Sequence, residues 1–178
     1  MINYTKTILV NAFEALLKTK SFDEITVTDI TNYCGAARST FYKYFSDKYD
    51  IMIWKYQNAL NEIHIEQTAI PYWRENTYSG VTYLANNREY FLKIIDYKGQ
   101  NSVHDFLYNY SYQFIYKVLC KERNIENLPL LENEALKIYL MGSSKYLMDW
   151  LKTMHISPEE LADLLCNCMP DLLKQYFE

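Results

Sequence analysis

Little in this chain is built to turn. Its 178 residues include only four glycines and four prolines, too few turn formers for a fold of many short strands. Cysteine is equally scarce: four, at 34, 120, 166 and 168, with no C-x-x-C pair and only three histidines in support. That excludes a disulfide scaffold and a zinc finger. Cys166 and Cys168 lie two apart, about 200° around a helix, and cannot chelate one metal well. Buried free thiols are the expected state. No apolar run approaches the ~18 residues of a membrane span, and no charged-then-apolar leader opens the chain. A soluble, cytoplasmic protein with no membrane partner is therefore expected. There is no Gly-rich phosphate loop, nucleophile–base pair or metal-ligand spacing. His64, His104 and His155 stand far apart. No enzyme is expected, with no catalytic residue, cofactor or metal.

Strong positive charge is missing as well. The formal net charge is −4, unlike many DNA binders. Residues 1–48 carry six Lys/Arg against five Asp/Glu, a balance of +1, and the remainder carries 12 against 17, or −5. A polybasic-tail mechanism is excluded. Any binding to nucleic acid must rest on a few well-placed cations.

What the chain does have is 49 % hydrophobic residues, 18 tyrosines among them, arranged with helical periodicity. The most informative stretch is Ile25–Tyr49, ITVTDITNYCGAARSTFYKYFSDKY. Thr26 with Asp29 three residues on forms a capping box, Asp substituting for Glu. Val27, Ile30 and Cys34 share one face of the helix it opens. Gly35 follows, where the chain needs a residue tolerant of positive φ. A second helix is expected from about Ala37. Its Ala37, Phe41, Tyr44 and Phe45 cluster on one arc, with Arg38, Ser39, Tyr42 and Lys43 on the other. Two short helices joined by such a turn make a helix-turn-helix, whose second helix enters the major groove. Arg can grip one guanine with two bonds, Ser can donate or accept, and Lys and Tyr reach phosphates or base edges. Taken alone, the polar arc is equally compatible with the outer face of any small helix.

The whole pattern resembles the TetR family of bacterial transcription regulators. It runs from Thr5 to about Trp54 and is sharpest over Ser39-Thr40-Phe41-Tyr42-Lys43-Tyr44-Phe45, then Asp47-Lys48 and the apolar run from Ile51. The resemblance implies that Thr40, Tyr42 and Lys48 touch the DNA backbone while variable positions of the second helix read bases. Thr26, Thr28, Arg38, Ser39 and Lys43 complete the expected DNA-contacting set. Ala37 departs from the pattern, standing where the family usually has a Ser N-cap. Cys34 replaces a small Ala, and Tyr49 a Glu.

The expected fold is all-α: a three-helix helix-turn-helix domain over residues 1–47, then a helical ligand-binding and dimerisation domain over 48–178, with about nine helices in all. A first helix over about Thr5–Thr19 braces the head, and a long one begins after Asp47. Helices are also expected over about Thr77–Ala85, Arg88–Ile95 and Val103–Lys121. The last is so dense in rings that a strand is the competing reading. Trp73, Tyr83, Phe91, His104, Tyr108 and Tyr112 are the candidate lining of a ligand pocket, with ordinary core filler as the alternative. Leu131–Met154 forms a long helix, and Ser157-Pro158-Glu159-Glu160 caps one in which Pro170 should produce a kink. These two resemble the family's dimerisation helices, which points to Ile138, Gly142, Tyr146, Trp150, Leu161, Leu165, Met169 and Leu172 as interface. The pattern by itself leaves an intramolecular helix pair open. Implied partners are a second copy of the chain and double-stranded DNA carrying a palindromic operator, with half-sites about 34–36 Å apart or a multiple of it. The function implied is a homodimeric repressor released by a signal in the C-terminal domain. The alternative is an activator whose C-terminal domain binds a partner protein, a reading that a fainter likeness to regulators of dihydroxyacetone utilisation also suggests.

Overall fold

The computed structural model describes residues 4–62, 73–95 and 102–177. Among these are ten helices and no strand: α1 (Tyr4–Leu17), α2 (Val27–Cys34), α3 (Arg38–Tyr44), α4 (Lys48–Glu62), α5 (Trp73–Asn86), α6 (Arg88–Leu92), α7 (Val103–Glu122), α8 (Leu130–Thr153), α9 (Pro158–Asn167) and α10 (Asp171–Lys174). Residues 63–72, with His64 and Pro71, and residues 96–101, most of a loop expected from the sequence over Asp96–Ser102, lie outside the described residues. The ring-dense segment is helix α7 throughout. Its Phe106 and Ile115 are buried and face the core, whereas a strand would have sent alternate rings to opposite faces.

The head forms where α1 packs across α2 and α4. Leu9, Phe13, Phe22, Ile25, Ile30 and Phe41 are fully or almost fully buried there. Phe13 meets Phe22 edge-on at 6.0 Å, and Phe22 meets Tyr49 at 5.0 Å, which ties α4 to the head through its first turn. Ile51, Met52 and Tyr56 carry the same core onward into the body. There Tyr56 gathers Tyr83, Phe91, Phe106 and Tyr110 within 6.1 Å in edge-on contacts.

In the body α5 packs on α9 and α7 on α8, while α6 touches both α5 and α8. Arg74 fastens α5 to α9 through Asp163 at 2.6 Å and Glu159 at 3.3 Å. A second cluster, Ile115, Leu119, Leu136, Leu140, Met169 and Leu173, closes the far end. Pro170 does more than bend a helix. α9 ends at Asn167, and Pro170 becomes the N-cap residue of the separate α10. Lacking an N–H and clashing with the preceding turn, it breaks the helix rather than kinking it.

Candidate nucleic-acid interface

Thr26 starts α2 by the expected reciprocal cap. Its Oγ1 accepts from Asp29 N at 3.1 Å, and its own N–H donates to Asp29 Oδ2 at 2.8 Å. Lys20 donates to the other carboxylate oxygen at 2.8 Å. That hydrogen bond, followed by those from Thr26, holds the Asp29 carboxyl well below the usual carboxylate range. Gly35 then ends α2 at φ 69°, and the N–H groups of Gly35 and Ala36 return to Asn32 O and Thr31 O. This turn aims α3 away from α2, at a conformation few side chains tolerate.

Phe41 and Phe45 anchor α3 in the core. Anchoring on that side leaves Arg38, Ser39, Tyr42 and Lys43 exposed on the outer face. Ala37 is itself exposed and is the N-cap residue, not part of the buried arc, and it offers no side-chain cap. Arg38 Nη2 donates to Tyr42 Oη at 3.3 Å, with the guanidinium 5.9 Å from the Tyr42 ring centre. Among the described residues neither Arg38 nor Lys43 joins an ion pair. Two cations without counter-charge on a helix held rigidly at its back are suited to an anionic surface. Thr28 is exposed at the start of α2 and Thr40 is half-buried. Tyr33, on α2 just before the turn, is a large exposed ring. It escaped the sequence reading because it carries no charge and belongs to no motif.

Two members of the expected set are occupied within the protein. The Thr26 side chain is committed to its cap. Lys48 Nζ donates to three backbone carbonyls, Phe22 O at 2.6 Å, Ile25 O at 2.9 Å and Asp23 O at 3.1 Å, and sits 4.6 Å from the Phe22 ring centre. An ammonium has three donors, so none remains for a phosphate in this arrangement. Burial pushes its pKa down, against the pull of Asp23 and Asp47. At the start of α4 it is Asp47 that caps, accepting from Tyr49 N and Asp50 N at 2.8 and 3.0 Å.

The body departs from the sequence expectation in two places. Its ring-lined cavity has a volume of about 140 Å³ and lies among Trp73, Asn76, Tyr110, Phe114, Tyr139 and Leu165, with other residues of α5, α7 and α8. Of the expected lining only Trp73 takes part. Tyr83 and Phe91 are packed around Tyr56. His104 Nε2 bonds to Ser144 Oγ at 3.2 Å, and Tyr112 donates to Asn133 while stacking on Tyr108. These rings are spent on packing, and the space left is well below the ~300 Å³ of an ordinary ligand site. The expected interface residues also divide. Trp150, Leu161 and Met169 are core residues of the single chain. Trp150 is fully covered, with its Nε1 donating to Ile156 O at 2.9 Å. Ile138, Gly142, Tyr146 and Leu172 are exposed and Leu165 is half-buried. The structure adds Leu131, 74 % exposed, beside Ile138 at 72 % and Met141 at 58 %. Helical periodicity named both sides of α8 because both sides are apolar.

Among the described residues no group of His, Cys, Asp and Glu is arranged to hold a metal, and no helix is long and apolar enough to cross a membrane.

Comparison with known proteins agrees with this architecture. Residues 9–53 match the family described as bacterial regulatory proteins, tetR family, and residues 72–171 match the family described as transcriptional regulator C-terminal region. The HTH-type dhaKLM operon transcriptional activator DhaS of Lactococcus lactis subsp. lactis (strain IL1403) is 27 % identical over 90 residues. That match covers 51 % of this chain and 48 % of the relative, so the chain spans about half the length of the curated relative it matches. Among solved structures, a dihydroxyacetone kinase operon activator DhaS superposes with a TM-score of 0.64 at 20 % identity, over 98 % of both chains. A putative TetR-family transcriptional regulator from Syntrophomonas wolfei str. Goettingen superposes with a TM-score of 0.58 at 18 % identity, over 91 % of both. At these identities the superpositions speak for the fold.

Proposed function

Because the chain belongs to the TetR family of bacterial transcriptional regulators, we propose that it acts as a homodimer on a two-fold symmetric operator, reading it with the outer face of α3. The observation that carries this reading is the pairing of a buried back, Phe41 and Phe45, with an exposed front bearing Arg38, Ser39, Tyr42 and Lys43. Arg38 and Lys43 read base edges, and Tyr42 and Thr40 meet the backbone, with Thr28 beside them at the start of α2. Lys48 and Thr26 act indirectly, by fixing the loop 22–25 and the start of α2 behind the reading helix. Dimerisation uses the exposed stripe of α8, Leu131, Ile138, Gly142 and Tyr146, with Leu172 and Leu165. A Cβ built on Gly142 meets nothing within 4 Å, so the protomer leaves room there for a second helix. No enzymatic step is part of this reading.

On the family pattern the dimer represses and is released by a signal in the body. A second reading, activation together with a partner protein, has two specific observations in its favour. The ring-lined cavity holds only about 140 Å³, and the similar Lactococcus lactis protein is named a transcriptional activator.

Selection of duplexes from a random pool by the full chain tests the core of the proposal. An enriched inverted repeat is expected, and Arg38→Ala should relax preference at particular base pairs by about 1–3 kcal/mol. Enrichment of no common sequence would overturn it.

A further inference from the structure

A second and larger hollow opens where head meets body. Its volume is about 380 Å³, and its walls come from the end of α1 and the residue after it, α4, the end of α5, and α6 with the residue after it. That size falls within the ~300–1,000 Å³ typical of small-molecule sites. Four of its wall residues are cations, Lys18, Lys55, Arg88 and Lys93, against two acids, Glu14 and Glu89. In a chain whose net charge is −4, this is a local excess of positive charge.

How those cations are bonded matters more than their number. Lys55 is neutralised by Glu14 at 2.6 Å. Arg88 donates to Leu151 O at 2.8 Å and Lys152 O at 2.5 Å, at the end of α8, and Lys93 donates to Leu17 O at 2.6 Å, at the end of α1. Carbonyl partners satisfy donors and complement a helix C-terminus, but they carry no full counter-charge. Lys18 is exposed and in no ion pair among the described residues. The wall residue Tyr90 adds a buried hydroxyl without a hydrogen-bond partner. Leaving such a group unsatisfied is unfavourable, so a ligand that supplies a partner gains by it. An unmatched donor thus sits at a site already rich in positive charge.

We propose that this head–body cleft is an effector site for a small oxyanion, a molecule bearing a carboxylate or a phosphate. The anion neutralises Lys18, Arg88 and Lys93 together, and a Tyr90 rotation or a bridging group of the ligand satisfies the hydroxyl. Because Leu17 and Lys18 belong to the head and Arg88–Lys93 to the body, such a ligand grips both at once. It therefore favours one head orientation, to the extent that it binds the two orientations differently. The charged lining of this cleft contrasts with the mostly apolar and aromatic lining of the smaller cavity.

The test uses the full chain, with inorganic phosphate and malonate as probes against chloride at matched ionic strength. Calorimetric titration without DNA should show saturable binding of at least one probe, with a dissociation constant of about 1 mM or tighter, and the stronger probe assigns the ligand as phosphate or carboxylate. Lys18→Gln and Tyr90→Phe, neither of which removes a bond that holds the fold, should each weaken it about tenfold. Arg38→Ala, on the DNA face, should not change it. Saturating probe should then shift affinity for a selected duplex about fivefold or more, and Lys18→Gln should abolish the shift. Absence of saturable binding, equal weakening by Arg38→Ala, or binding that leaves duplex affinity unchanged would each overturn the effector site. The binding step is read without DNA, so its result stands apart from that of the operator-binding proposal.

Discussion

At the scale of single residues, Lys48 is a motif position whose ammonium is engaged by the protein itself. The family resemblance implied a contact with the DNA backbone, yet the ammonium spans the carbonyls of residues 22, 23 and 25. Lys48→Met should lower stability by about 1–3 kcal/mol by leaving partly buried carbonyls unpaired. The salt dependence of DNA binding by the remaining folded protein should keep its slope. Lys43→Ala should do the reverse, leaving the denaturation midpoint in place while relaxing preference at particular base pairs by about 1–3 kcal/mol, read on matched against mismatched duplexes. Urea titration and binding to both duplexes at several salt concentrations separate the two. Distances of this kind are invisible in sequence because the three carbonyl groups belong to residues 23 to 26 positions away and carry no side-chain signature. The exposure of Arg38, Ser39, Tyr42 and Lys43 was legible, since it follows from helical periodicity around Phe41 and Phe45 alone.

At the scale of helices, capping made most boundaries readable. Thr26 with Asp29 and Ser157 with Glu160 both form the reciprocal caps their spacing implies. Folding holds the Asp29 pKa below its ordinary value of 3.8, chiefly through Lys20. Its contribution to stability is therefore complete above that value and is lost as pH falls through the lower, folded one. Denaturation midpoints measured from pH 7 down to pH 2 should fall on the acid side, and Asp29→Asn should flatten that fall. The reading helix has the opposite feature. Ala37 already holds the extended geometry of an N-cap, φ −74° and ψ 147°, but offers no acceptor. Ala37→Ser should stabilise the head by about 1 kcal/mol, visible as a rise in Tm of roughly 2–4 °C. What periodicity did not reveal was the partner of each apolar face. Tyr83, Phe91 and Tyr112 read equally well as pocket or packing, and only the three-dimensional gathering around Tyr56 and Asn133 assigns them to packing.

At the scale of the whole molecule, head and body share one continuous core through Ile51, Met52 and Tyr56, a packed connection between α3 and the body helices. The same scale separates the two sides of α8, which sequence pattern could not do. Trp150→Ala should cost about 3–5 kcal/mol by opening a cavity in the protomer. Gly142→Arg should leave the protomer folded, because a side chain there meets nothing within 4 Å, yet it should block close approach of a second copy. The most direct measurement is the native mass of the complex formed on a selected palindromic duplex. Two chains per duplex are predicted for the natural sequence, and Gly142→Arg should give folded monomers that no longer bind as pairs. A single natural chain saturating the duplex, or a Gly142→Arg protein that still pairs on it, would contradict the account.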